Sequence, residues 1–117
     1  MNSIVRGRVR VALQRLGLGG TALLYMIVEH FKNQDPLPVY RRFRDYGRLA
    51  PEGLQYLSSW VDEKLERCFQ LMEADDPKHL NEWIAKWSDV VEFEIYPVMS
   101  SKEAAERVST RLEDELL

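Results

Sequence analysis

The sequence predicts an α+β domain of the ferredoxin-like kind, a split β-α-β plan with a four-stranded antiparallel sheet and its helices on one face. Three observations carry this. Two Asp-Pro pairs, Asp35-Pro36 and Asp76-Pro77, mark helix starts about forty residues apart. Leu80, Trp83, Ile84 and Trp87 recur at i, i+3, i+4 and i+7, the spacing of one helix face. The stretch after them, with Val91, Phe93 and Ile95 at every second position, has the period of a strand.

The elements follow in order. Leu23–Phe31 is apolar and β-prone and reads as the first strand. Asp35 caps a helix with Pro36 in its first turn. Leu37, Tyr40 and Phe43 lie at helical spacing, and Gly47 ends the helix as a left-handed cap. A loop, Arg48–Gly53, holds Pro51. Leu54–Val61 and Cys68–Glu73 read as two strands of a hairpin across the polar turn Asp62–Glu66. Asp76-Pro77 opens the second helix, to Trp87, and Val90–Val98 is the fourth strand. Ser100 and Glu103 form a capping box for a last helix striped by Ala104, Ala105, Val108, Leu112 and Leu116.

Length and charge set bounds on what this fold can do. A chain of 117 residues, 45% hydrophobic and 30% charged, makes one domain with a real core, since folding at this size hides roughly 65% of the unfolded surface. No apolar run approaches the ~20 residues of a membrane span. The single cysteine, Cys68, excludes an internal disulfide and a zinc site built on paired thiolates, reads as a small buried apolar residue, and fits a reducing, cytoplasmic setting. The net charge of −3 is unevenly spread. Residues 1–22 contain Arg6, Arg8, Arg10 and Arg15 and no acid, whereas the rest has twelve basic and nineteen acidic residues. The acidic body repels phosphate backbones, so no nucleic-acid partner is expected unless the leader supplies it. That leader, residues 1–22, reads as a basic, poorly ordered extension of a domain spanning 23–117. It has three open explanations: a stretch translated from upstream of the true start, a targeting peptide, or a basic arm for a membrane surface or partner.

Alternation sorts the strand residues into two faces. Val91, Phe93 and Ile95 meet the helices, as do Phe69 and Leu71. The other face is expected to gather Tyr25, Phe31, Tyr56, Trp60, Met72 and Tyr96 around Glu29, Gln70, Glu92 and Glu94. Such a mixed face suits a homodimer contact or a cavity enclosed where two sheets meet.

The run Tyr25-Met26-Ile27-Val28-Glu29-His30-Phe31-Lys32, the segment Arg41–Leu54, Ser58-Ser59-Trp60, Glu82-Trp83, Trp87-Ser88-Asp89 and Glu92–Val98 together resemble a short bacterial family of unknown function within the dimeric α+β barrel superfamily. The likeness runs from about Leu24 to Val108, and the leader has no counterpart in it. The resemblance implies a ferredoxin-like fold and a dimer built back to back through its sheets. It implies no activity, because the wider superfamily holds cofactor-free monooxygenases, haem-degrading enzymes, muconolactone-isomerase-like enzymes and stress-induced domains.

Candidate chemistry is sparse. Glu29, Glu92 and Glu94 are candidate general bases, since enclosure in an apolar cavity lifts a carboxyl toward neutrality, and His30 is a further catalytic candidate. Arg48 in its loop, with Tyr56, Trp60, Gln70 and Tyr96, forms the expected ligand-binding set. His30 and His79 make no metal spacing, and no phosphate loop, nucleophile elbow or dinucleotide fingerprint occurs, so neither metal nor cofactor is expected. Two functions stay open: a homodimeric module that binds a small hydrophobic ligand or a protein, and a cofactor-independent monooxygenase- or isomerase-like enzyme on a hydrophobic small molecule. Deleting the leader before Thr21 is expected to shift unfolding free energy by less than about 2 kcal/mol. Comparing the denaturant melts of full-length and truncated protein measures it, and a larger loss would make the leader part of the fold.

Overall fold

In the computed structural model, which describes residues 22–116, the strands are β1 (Leu23–Phe31), β2 (Leu54–Val61), β3 (Arg67–Ala74) and β4 (Val91–Pro97). The helices are α1 (Leu37–Tyr46), α2 (Pro77–Trp87) and α3 (Ser101–Asp114), and a short 3-10 turn covers Lys32–Gln34. The sheet order is β2-β3-β1-β4 with every neighbouring pair antiparallel. This is the four-stranded α+β arrangement expected of a ferredoxin-like domain. The leader's residues 1–21 lie outside the described part of the chain. Among the described residues, no helix is long and apolar enough to cross a membrane.

The capping chemistry appears where the Asp-Pro and Ser-x-x-Glu signatures place it. The Asp35 carboxylate accepts from the Leu37 amide at 3.0 Å, that of Asp76 from Lys78 at 2.9 Å, and the Ser100 hydroxyl from Glu103 at 3.1 Å. Each satisfies an amide that has no intrahelical partner. Gly47 does end α1 at positive φ (76°), but its ψ of −161° is not that of a left-handed cap. It turns the chain into an extended loop by a route open only to glycine. Gly53 is constrained twice. Its φ is 95°, and a Cβ there would stand 2.6 Å from the His79 ring.

The core lies between the sheet and two helices. Leu23, Tyr25, Ile27 and Phe31 from β1, Met72 and Ala74 from β3, and Val91, Phe93 and Ile95 from β4 meet Leu80, Trp83, Ile84 and Trp87 of α2. Trp83 sets its ring against Phe93 edge to face, centroids 5.6 Å apart. α1 contributes only Val39 to this core. It is tied instead to the end of α2 by Arg42, whose guanidinium grips both Asp89 oxygens (2.9 and 2.6 Å) and the Lys86 carbonyl (2.7 Å).

The faces of three strands differ from the sequence-based expectation. Tyr25, Glu29 and Phe31 point to the helices, and so do Gln70 and Met72, while Phe69 and Leu71 take the open side with Met26, Val28 and His30. In β1 and β3 both faces carry apolar residues, so alternation alone could not orient them. In β2 the register shifts between Tyr56 and Ser58. This bulge puts Tyr56 on the helix side, opposite buried Met72, and Trp60 on the open side, opposite Phe69. Trp60, Glu92, Glu94 and Tyr96 remain on the open side as expected. α3 buries none of its residues.

The reversed orientation of β3 has a measurable consequence. Met72→Ala is expected to cost about 2–5 kcal/mol, the range for truncating a fully buried side chain. Urea denaturation checks this, and a loss under about 1 kcal/mol would restore Met72 to the open face.

Candidate functional site

Alternation along β1 drives one carboxylate into the layer where the helices pack. Tyr25 and Ile27 face the core, and so must Glu29, which is 7% exposed and sits across from Cys68 on β3 and Phe93 on β4. A buried carboxyl needs polar partners. Gln70, two residues along β3 from Cys68 on the same face, donates its amide to Glu29 Oε2 at 2.7 Å. Its Oε1 accepts from Arg48 Nε at 2.8 Å. Since Arg48 can only donate, this bond fixes the Gln70 amide with its N–H groups toward Glu29.

Arg48 is itself fixed at both ends. Its guanidinium lies 3.7 Å from the centroid of the Tyr56 ring and 5.2 Å from that of Phe43. Its carbonyl accepts from the indole N–H of both Trp83 and Trp87, each at 3.0 Å. Two tryptophans one helical turn apart each carry a donor that must be satisfied when buried, and here both use one loop carbonyl. The adjacent Leu49 takes positive φ (65°), and Lys86 Nζ donates to its carbonyl at 3.3 Å. A continuous relay therefore runs from α2 through the Arg48 backbone and side chain to Gln70 and Glu29.

Beside this relay lies a cavity of about 150 Å³. β1 lines it with Glu29 and Phe31, α1 with Val39, Tyr40 and Phe43, and the rest of its wall includes Arg48, Cys68, Trp83 and Trp87. It exists because α1 stands off the sheet, with Tyr40 and Phe43 only half in contact. Tyr40 closes one side by meeting Phe31 edge to face at 6.1 Å.

Burial raises the Glu29 carboxyl to about 7, against the opposing pull of the Arg48 charge and the Gln70 hydrogen bond. Burial, with Glu29 adding to it, pushes the Cys68 thiol up to about 12, so this cysteine is an apolar wall and not a nucleophile. The Tyr40 hydroxyl is also raised, first by burial and then by Cys68 and Glu29.

The expected site residues thus divide between the two sides of the sheet. Glu29, Arg48, Tyr56 and Gln70 come together on the helix side, with Tyr56 as the surface on which Arg48 lies. Trp60, Tyr96, Glu92, Glu94 and His30 are on the opposite side, where His30 Nε2 meets Glu94 Oε1 at 3.1 Å. Glu29 cannot approach Glu92 or Glu94, because they project from opposite faces. Among the described residues no group of three or more His, Cys, Asp or Glu is placed to hold a metal ion.

A protein-family profile described as Domain of unknown function (DUF3303) matches residues 23–112. The chain belongs to the DUF3303 family. Comparison with curated proteins and with solved structures gives no match. The matched span holds the complete relay of this DUF3303 domain, from Glu29 to Trp87, and stops within α3.

Glu29 makes a pH prediction with a definite sign. Its carboxyl loses its proton at about 7 in the folded DUF3303 domain and at about 4.5 when free. Between those values the folded state holds a proton that the unfolded state has lost, so stability falls as pH rises across that window. The full cost, about 3 kcal/mol, is present above pH 7. Glu29→Gln should therefore remove a stability decline between pH 5 and pH 8, and exceed the wild type at pH 8. Urea denaturation at the two pH values measures the difference, and a variant with the wild type's pH dependence would contradict the burial of this charge.

Proposed function

We propose that this domain binds a small, largely apolar molecule in the cavity between α1 and the sheet, with Glu29 as the polar anchor. One observation carries the reading. A buried carboxyl lines an apolar cavity, and among the described residues only its Oε2 receives a hydrogen bond, from Gln70. Small-molecule sites characteristically combine apolar walls with one or two convergent polar groups. A domain needing only stability gains little from such a carboxyl, whose ionisation opposes folding.

A second reading is favoured by the position of the Glu29 proton. A carboxyl that titrates near neutrality inside an apolar site is matched to general-base work. The same cavity then serves a cofactor-independent enzyme of the isomerase or monooxygenase type. Glu29 takes a proton from the bound hydrophobic substrate, and the Arg48–Gln70 relay steadies the carboxylate.

The binding unit is a homodimer closed through the open sheet face, the arrangement of dimeric α+β barrels. Support comes from the apolar residues on that face: Trp60 and Tyr96 are exposed, and Met26, Phe69 and Leu71 are half-buried beside them. An interface of standard size covers ~800 Å² per partner, about one face of such a sheet, and aromatic and methionine side chains are enriched in interface cores.

Two measurements test these proposals. Tryptophan fluorescence of a Trp60→Phe variant reports on the two cavity indoles. It should respond saturably to one-ring aromatic molecules, and Val39→Phe, which intrudes on the cavity without adding an indole, should weaken the response. Absence of any response at millimolar concentration would refute the cavity reading. Separately, sedimentation at micromolar concentration should show a dimer that Trp60→Glu weakens by at least about tenfold, the scale of losing an interface anchor. A wild-type monomer would refute the dimer.

A further inference from the structure

Resting on the cavity reading above, we infer that the ligand is a neutral single-ring molecule bearing one hydroxyl proton donor, a phenol-like alcohol, and not an ammonium or a carboxylate. Size is the first argument. An apolar cavity of about 150 Å³ accommodates one benzene ring, and the cavity here has that volume. A ring fits its aromatic walls edge to face or offset.

The charges already present select the polar substituent. A cationic ligand would seek the carboxylate and the faces of the surrounding rings. Those faces are substantially taken. The Arg48 guanidinium lies over Tyr56 and near Phe43, and Arg42 lies 5.3 Å from the Trp87 ring centroid. A desolvated ammonium would share the cavity with Arg48. An anionic ligand fares no better, because its charge would stand beside Glu29, and the Arg48 charge already serves as the countercharge of Glu29 through Gln70. The relay Arg48–Gln70–Glu29 is balanced by its own two charges, so a neutral ligand adds no unpaired charge to a buried site.

The hydrogen-bond pattern then fixes the sense of the contact. Gln70 is held with its amide toward Glu29 and occupies Oε2. The other carboxylate oxygen has acceptor capacity and no donor from the described residues. A hydroxyl supplies that donor in a short, charge-assisted bond. The groups facing Glu29 are Arg48 from the loop, Cys68 from β3 and Tyr40 from α1. Neither the thiol nor the tyrosyl hydroxyl, both raised, ionises near pH 7, so the pH dependence of binding belongs to Glu29 alone. Hydroxyl binding should strengthen as Glu29 loses its proton and weaken again only where the ligand's own hydroxyl ionises.

Titration of the full chain carrying Trp60→Phe with phenol, toluene, benzoate and benzylamine at pH 8 tests this by fluorescence. Phenol should bind about tenfold more tightly than toluene, the difference made by one charge-assisted hydrogen bond, and more tightly than either charged probe. Adding Glu29→Gln should reduce that preference several-fold and leave toluene unchanged, which separates loss of the anchor from loss of the fold. Benzylamine or benzoate binding ahead of phenol overturns the ligand class while the cavity reading stands. Toluene equal to phenol overturns the role of Glu29 as anchor. Failure of all four probes overturns the cavity reading itself.

Discussion

Ionising a carboxyl inside the protein is costly unless fixed dipoles and a countercharge replace the water it has lost. Glu29 faces that cost near the C-terminal end of β1, one of the two inner strands, and much of the local architecture answers it. Gln70 supplies the dipole, Arg48 the countercharge, and the two indoles of α2 hold the loop carbonyl that keeps Arg48 in place. The compensation is partial, since burial still outweighs both partners. A partly compensated group of this kind leaves the site sensitive to whatever enters beside it.

The elements around the relay divide the labour of rigidity. α2 is anchored by four buried residues and an Asp76 cap, so the two indole donors are well placed to position the loop. α1 is anchored by Val39, by Arg42 and by its capped start, and its Tyr40 and Phe43 stay half open to solvent. The rigid helix therefore holds the polar relay, and the less buried helix forms the wall through which a ligand would enter. Elements with few buried apolar contacts open most readily.

Much of the fold was legible from local rules. Asp-Pro starts, the Leu80–Trp87 stripe and the alternation of Val91, Phe93 and Ile95 are short-range signals that tertiary packing did not override. The side of the sheet each strand presents was less legible. β4 has one apolar and one acidic face, and its orientation follows directly. β1 offers Tyr25, Ile27 and Phe31 against Met26, Val28 and His30, two sets of similar hydrophobicity, and the carboxyl of Glu29 argues against the first as the buried one. The larger aromatic set wins the core, and Glu29 is carried in with it. The bulge after Tyr56 has no residue signature, so alternation puts Tyr56 and Trp60, four apart, on one face, whereas the chain separates them. The Gln70 link between Glu29 and Arg48 depends on the pairing of β1 with β3, whose register is weakly specified because both faces of each strand carry apolar residues. The paired donors of Trp83 and Trp87 were the one available hint, since buried indoles require acceptors nearby.

The account depends on Glu29 being buried, bonded to Gln70 and only partly compensated by Arg48. Side-chain carbon-13 NMR of the glutamate carboxyls, with Glu29 assigned by its loss in Glu29→Gln, follows its titration directly. An apparent pKa near 7 that rises further in Arg48→Met, where the countercharge is removed, is the predicted result. A value near the ordinary 4.5, unmoved by that substitution, would place Glu29 in solvent and contradict the relay, the cavity and the ligand chemistry built on them.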